Sequence, residues 1–304
     1  MRVLVVGAGA TGGYFGGRLA QAGRDVSFLV RAARAAHLRA HGLQIVSPHG
    51  DVTLQPRLLL ASEVRDPFDV VLLAVKSFAF AAAVEDLAPA VGPQSMIVPL
   101  LNGMRHIDGL VARFGAAPVL GGVCRIAGDL AADGRIVQMT PMHDVSYGER
   151  SGSRSVRIER LDALLQGAGF DARLSEAIER EMWEKWLVLA TLGGIGCLMR
   201  GTLGDILAQP GGRDFIGRFL DEVLAIVAAL GHAADAAFEA FARRMFTQPG
   251  GVQTSSMYRD LQKGAPVEAD QILGDLLARG QGAGVDAPLL NAAFTQLSIY
   301  MNRH

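Results

Sequence analysis

Lysine is nearly missing from this 304-residue chain: of its 29 basic side chains only three are lysines, Lys76, Lys185 and Lys263, and the other 26 are arginines. Cysteine is scarcer still. Cys124 and Cys197 lie far apart, with neither a CxxC nor a Cys/His ligand spacing, so neither a disulfide framework nor a structural zinc site is supported and a reducing compartment is expected. No sign of charge is in excess. A net charge of −1 with both signs interspersed argues against a nucleic-acid partner, which calls for a basic stripe. Long apolar runs are also lacking: no window approaches the roughly 18 residues that span a bilayer, so no membrane partner is expected and the location is read as cytoplasmic. The opening MRVLVVGAGATGG superficially resembles a secretory signal, but its apolar stretch ends at Gly7 and its glycine spacing points elsewhere. Tandem repeats and low-complexity segments are absent. What remains is small-molecule chemistry in a chain long enough, at about 150 residues per domain, for two domains.

The first part of the chain alternates short apolar runs with helical stretches. RVLVV (2–6), DVSFLV (25–30), DVVLLAV (69–75), MIVPLL (96–101) and APVLGGV (117–123) read as strands, and strands alternating with helices imply βαβ units and a parallel sheet. LQIVS (43–47) and VTLQP (52–56) meet at His49-Gly50-Asp51 and read as a hairpin-like excursion, and 134–150 as an antiparallel extension. Beyond about residue 155 the pattern is helical, with candidates at 155–167, 177–199, 212–230, 234–246, 253–262, 269–282 and 287–302. The expected class is therefore α/β: a Rossmann-like dinucleotide-binding domain over 1–173, then an all-helical domain over 174–304.

Gly7, Gly9 and Gly12 stand in GxGxxG spacing directly after the first strand, with Ala10 and Thr11 between the last two. In that context the first glycine permits the tight turn, the second lets backbone approach a pyrophosphate, and the third lets helix and strand pack closely. About 20 residues later an NAD site tends to place an acid against the ribose 2′-hydroxyl; this chain reads FLVRAAR, with Arg31 there. A guanidinium attracts a 2′-phosphate where a carboxylate repels it, so NADP(H) is the expected dinucleotide, unless Arg31 is simply a surface arginine. Lys76 and Asn102 follow the strands at 69–75 and 96–101, at the strand ends where open α/β sheets bind ligands. A cation and an amide there can hold phosphate, ribose or a substrate carboxylate; alone, Asn102-Gly103 is also an ordinary turn dipeptide. Lys185 sits in EMWEKWLVLATLGGIGCLM, a helix that begins amphipathic and becomes apolar all round. Desolvation there brings an ammonium toward proton transfer, whereas a lysine snorkelling beside Glu181 or Glu184 would be purely structural.

Taken together, GAGATGG, VKS (75–77), NGM (102–104), WEKW (183–186), SSM (255–257) and Glu268 in VEADQILG resemble the ketopantoate reductase family over essentially the whole chain. The resemblance implies that the helical domain carries the general acid, Lys185, and closes over the cofactor cleft. It implies that Asn102 orients nicotinamide or substrate, that Lys76 is a cation near the cofactor, that Ser256 contacts substrate and that Glu268 is the acidic partner near the reacting centre. For Ser255 and Ser256 the competing role is helix capping. The family pattern has asparagines four and eight residues after the lysine, whereas this chain has Leu189 and Gly193, neither able to donate a hydrogen bond to a substrate hydroxyl. Glycines at 193, 194 and 196 cost a helix about 1 kcal/mol each, and imply room for a bulkier ligand or a close contact.

The expected activity is NADPH-dependent reduction of a 2-keto acid, foremost 2-dehydropantoate to pantoate in pantothenate biosynthesis. The alternatives are a paralogue acting on a more apolar 2-keto or β-keto acid, a catalytically silent NADP-binding sensor, and a β-hydroxyacid dehydrogenase built on the same domain pair. Exposed faces of the C-terminal helices leave room for a homodimer. Lys76 and Lys185 are kept as lysines at the positions the family uses, and arginine cannot release a proton near neutral pH.

Overall fold

Val3, Leu4, Val5 and Val6 are all buried, which makes the first strand a two-sided core element, as a parallel sheet requires. The computed structural model describes residues 1–303. The elements run β1 (Arg2–Val6), α1 (Ala10–Gln21), β2 (Asp25–Leu29), α2 (Ala32–His41), β3 (Leu43–Val46), β4 (Val52–Leu54), β5 (Arg57–Leu59), β6 (Val70–Leu73), α3 (Phe80–Leu87), β7 (Met96–Pro99), α4 (Arg105–Phe114), β8 (Gly121–Leu130), β9 (Ile136–Gly148), α5 (Val156–Leu165) and β10 (Asp171–Leu174). Helices follow: α6 (Ile178–Met199), α7 (Leu203–Leu207), α8 (Gly212–Ala229), α9 (Ala236–Thr247), α10 (Ser256–Gln262), a π-helical turn (Asp270–Gly274), α11 (Asp275–Gly282) and α12 (Pro288–Met301). No helix among the described residues is long and apolar enough to cross a membrane.

Two compact units result: Met1–Leu101 with His106–Glu179, and Asn102–Arg105 with Arg180–His304. In the first, β5-β2-β1-β6-β7 form an all-parallel sheet. Chain order reverses between β1 and β6, so the loop after β1 lies at a topological switch point. The fifth parallel strand is β5, not the 117–123 segment expected from sequence. That segment contributes one parallel bridge, Ile97 to Val119, before β8 starts at Gly121 and pairs antiparallel with β9. The expected hairpin forms, with β3 antiparallel to β4 and Leu43 opposite Leu54. It belongs to a second sheet, β10-β9-β3-β4, with β8 on β9.

Helix α1 packs against elements of both sheets, and its glycines make that approach possible. A Cβ at Gly16 would stand 2.8 Å from Val5 Cγ2 and 2.7 Å from the Phe28 ring, while one at Gly17 would stand 2.7 Å from Ile45 Cδ1. The helix gives up intrinsic propensity and gains a core containing Tyr14, Phe15, Leu19, Phe28, Ile136 and Tyr147.

In the second unit, Trp186, Phe219, Phe246, Leu276 and Leu290 are fully buried. The glycine notch of α6 is filled by the chain's own side chains. A Cβ at Gly194 would run into the Phe219 ring of α8, and one at Gly193 would stand 2.6 Å from Met257 Cε of α10. Cys124 and Cys197 are buried free thiols, and burial pushes the Cys197 thiol up to about 12.

Candidate functional site

The loop after β1 is shaped by two glycines. Gly7 has φ +95°, a left-handed conformation that side chains disfavour, and its N–H donates to the Leu29 carbonyl at 3.0 Å. A Cβ on Gly12 would overlap the Gly7 carbonyl oxygen and lie 3.0 Å from Ala74 Cβ, so the start of α1 can sit against β1 and β6 only with glycine there. Gly9 differs: nothing lies within 4 Å of where its Cβ would be. It occupies the N-cap of α1 without a side-chain cap, and no acidic residue sits in the first turn. The N–H groups of Ala10, Thr11 and Gly12 have no intrahelical acceptor at this position, so the helix start presents uncommitted donors and a positive dipole end beside open space.

Arg31 stands two residues beyond β2, exposed, at the N-cap of α2. Its guanidinium makes no hydrogen bond or ion pair among the described residues of its unit. Lys76 is exposed beyond the end of β6 and caps a short 3-10 turn over Ser77–Ala79. Gly7, Gly9, Ala10, Thr11, Gly12, Arg31 and Lys76 thus gather at the carboxyl ends of β1, β2 and β6. Sequence reading missed Arg34. Its Nε donates to the Ala8 carbonyl and its Nη1 to the Gly134 carbonyl, each at 3.0 Å, so it braces the glycine loop from α2. Desolvation holds its pKa below the usual arginine value, and its Nη2 is buried with no partner. The only sequence signal was its place three residues after Arg31, on one helix face.

Asn102 and the remaining candidates belong to the helical unit. The partly exposed face of α6 is a single stripe at helical spacing: Glu181, Glu184, Lys185, Val188, Leu189 and Leu192 are half-buried, whereas Met182, Trp183, Trp186, Leu187, Ala190 and Thr191 are buried. Lys185 therefore has Val188, Leu189 and Leu192 on its C-terminal side. It is not paired with either neighbouring glutamate; Glu184 instead lies 3.7 Å from Arg180. Ser255 is the cap of α10, its Oγ accepting from the Tyr258 N–H at 2.9 Å, which leaves the Ser256 hydroxyl uncommitted. Asn102, Lys185 and Ser256 are all half-buried, and none of their side chains is engaged by a hydrogen bond or ion pair among the described residues of the unit. Partial burial weakens hydration of such groups, and donors without partners in their unit have the capacity to bond a ligand. Glu268 is 7% exposed and stands two residues before the π-helical turn.

Comparison with known proteins gives a consistent result. The family model described as ketopantoate reductase PanE/ApbA matches residues 3–152, and its C-terminal counterpart matches residues 177–300. An uncharacterized oxidoreductase, YkpB, of Bacillus subtilis is 38% identical over 99% of both chains. A 2-dehydropantoate 2-reductase of Mesorhizobium japonicum is 28% identical over 96% of this chain and 95% of its own. Among solved structures, a 2-dehydropantoate 2-reductase from Geobacter metallireducens superposes with a TM-score of 0.86 at 30% identity, covering 98% of this chain and 99% of that one.

Proposed function

The chain belongs to the ketopantoate reductase family, and from that premise we propose that it is an NADPH-dependent reductase of a 2-keto acid, with 2-dehydropantoate the first substrate to test. The observation that carries this reading is the set of half-buried, uncommitted polar groups on the helical unit, Asn102, Lys185 and Ser256. A binding module needs no such set, and a silent sensor least of all needs a lysine there.

The residues fit a dinucleotide. Open space over Gly9 and the bare N-terminus of α1 suit a pyrophosphate, and the uncommitted Arg31 at the N-cap of α2 suits a 2′-phosphate. When bound, that group supplies the hydride that adds to the keto carbon. The chain's own task is at the keto oxygen. As negative charge develops there, the Lys185 ammonium stabilises it and hands over a proton from Nζ. The Asn102 amide and Ser256 hydroxyl orient the 2-keto acid by hydrogen bonds, and Glu268 is the acidic partner near the reacting centre. Lys76 is a cation for the dinucleotide.

The test is NADPH oxidation with a panel of 2-keto acids. Turnover of 2-dehydropantoate above the other members supports the first reading, and no turnover of any keto acid by a protein that binds NADPH stoichiometrically rejects it for the silent sensor. The stripe of Val188, Leu189 and Leu192 beside Lys185 favours a second reading, a substrate with an apolar substituent in place of the hydroxyl. In that case 2-dehydropantoate is the poor member of the panel.

Dinucleotide choice has its own test. Arg31→Ala is expected to raise KM for NADPH by about ten- to a hundred-fold, the equivalent of about 1.5–3 kcal/mol for a charge-assisted contact, while leaving KM for NADH within two-fold. A clear NADH preference in the wild type that survives Arg31→Ala removes Arg31 from this role.

A further inference from the structure

Asn102, Gly103 and Met104 lie between β7 and α4, and Arg105 opens α4; the residues on either side belong to the first unit, yet these four group with the helical unit. The reason is a clamp made by the π-helical turn and the start of α11. Gln271, buried in that turn, donates from Nε2 to the Asn102 carbonyl at 3.0 Å. Gly103, at φ +78°, lies so close beneath it that a Cβ would be 2.8 Å from the Gln271 carbonyl oxygen. Four residues on, the buried carboxylate of Asp275 lies 3.5 Å from the Arg105 guanidinium and 3.1 Å from that of Arg279.

The same turn holds the helix of Lys185. In a π turn the N–H of residue i reaches back five residues, as Asp275 N–H does to the Asp270 carbonyl, past that of Gln271. The Ile272 carbonyl in that turn accepts from outside it: the indole Nε1–H of Trp186 donates to it at 2.9 Å. Adjacent residues of one turn thus face in two directions, Gln271 to the Asn102 segment and Ile272 to α6.

We propose that Gln271 is a positioning residue, which locks the backbone of Asn102 to the turn that also anchors Trp186, so that the Asn102 amide is held in fixed register with Lys185. This rests on the reading of Asn102 as a ligand-orienting amide. In this role Gln271 acts through the Asn102 carbonyl. The turn is its platform, because Gln271 and Ile272 are adjacent in it and the Trp186 indole is held by the second of them.

The experiment compares wild type, Gln271→Met, Asn102→Ala and the double variant, using NADPH and the best keto acid of the panel. Methionine keeps the length of glutamine and removes the donor. Expected for Gln271→Met are a fall of about ten-fold in kcat/KM for the keto acid, an NADPH Kd within two-fold of wild type, and faster amide hydrogen exchange confined to a peptide spanning 102–105. The double variant is expected to be no worse than Asn102→Ala, since both changes remove one function. Losses that multiply in the double variant overturn the proposal, because Gln271 would then act elsewhere. Faster exchange at 102–105 with unchanged kcat/KM also overturns it, by showing a merely structural clamp. If Asn102→Ala itself is silent, the reading of Asn102 fails and the proposal with it; if Asn102→Ala is impaired and Gln271→Met silent, the proposal alone fails.

Discussion

Lys185→Ala is expected to lower kcat for every accepted keto acid by about two to four orders of magnitude, the range over which a positioned proton donor acts, while NADPH Kd stays within about two-fold. The argument begins with what surrounds the ammonium. Lys185 is half-buried on α6, close in sequence to the buried Trp183 and Trp186, and its Nζ makes no hydrogen bond or ion pair among the described residues of its unit. A lysine held by Glu181 or Glu184 would be serving the helix surface, and this one is not. Removing it therefore takes away no structural contact of the side-chain head, and the melting temperature should move little. Lys185→Arg sharpens the test, because arginine keeps the charge but cannot release its proton near neutral pH. If stabilising the developing alkoxide were the whole role, arginine would rescue; if proton delivery matters, it remains impaired. Lys263→Ala, in the exposed segment after α10, is the control and should keep wild-type kcat. Unchanged turnover in Lys185→Ala rejects the assignment outright.

How much of this was legible beforehand follows from the range of the interactions concerned. The glycine loop, its flanking strand and helix, and the position of Arg31 are encoded within about 30 consecutive residues, as a βαβ unit requires, and sequence spacing shows them directly. The longer helices of the second unit were legible from their apolar periods, and α9 and α10 also start at a side-chain cap, Asp235 and Ser255. Strand β5 was not, since RLL is too short to show a period and becomes a strand only by pairing with β2. Gly121 and Gly122 likewise looked like the end of a parallel strand, while the partner that decides their pairing, β9, lies far along the chain. Arg34 and Gln271 were invisible for the same reason. What each does depends on a carbonyl, Ala8 or Asn102, that only the folded backbone brings within reach. Gly193 shows the limit from the other side: its departure from the family pattern was visible, but that Met257 would fill the place of a side chain there was not.

Gly9→Ala and Gly12→Ala form a pair in which one substitution separates binding from folding and the other does not. At Gly9 a methyl meets no protein atom within 4 Å, and φ is −87°, which alanine adopts readily. Gly9→Ala should therefore fold as wild type, with a ligand-free melting temperature shifted by no more than about 2 °C. The methyl instead enters the open space beside the uncommitted N–H groups of α1. There it denies a phosphate the close backbone approach that the donors need, so Kd for NADPH should rise about ten-fold or more. At Gly12 the methyl would overlap the Gly7 carbonyl oxygen, which is backbone and cannot rotate away. Relief requires α1 to lift from β1, at about 1–3 kcal/mol or more, so Gly12→Ala should lower the melting temperature by several degrees and weaken NADPH binding at least as much. Calorimetry without ligand and a fluorescence titration with NADPH measure the two quantities separately. A Gly9→Ala protein that binds NADPH as tightly as wild type would show that the space over Gly9 is not where the dinucleotide lies. A Gly12→Ala protein with unaltered melting temperature would show that the β1–α1 junction has freedom its tight backbone contact does not suggest.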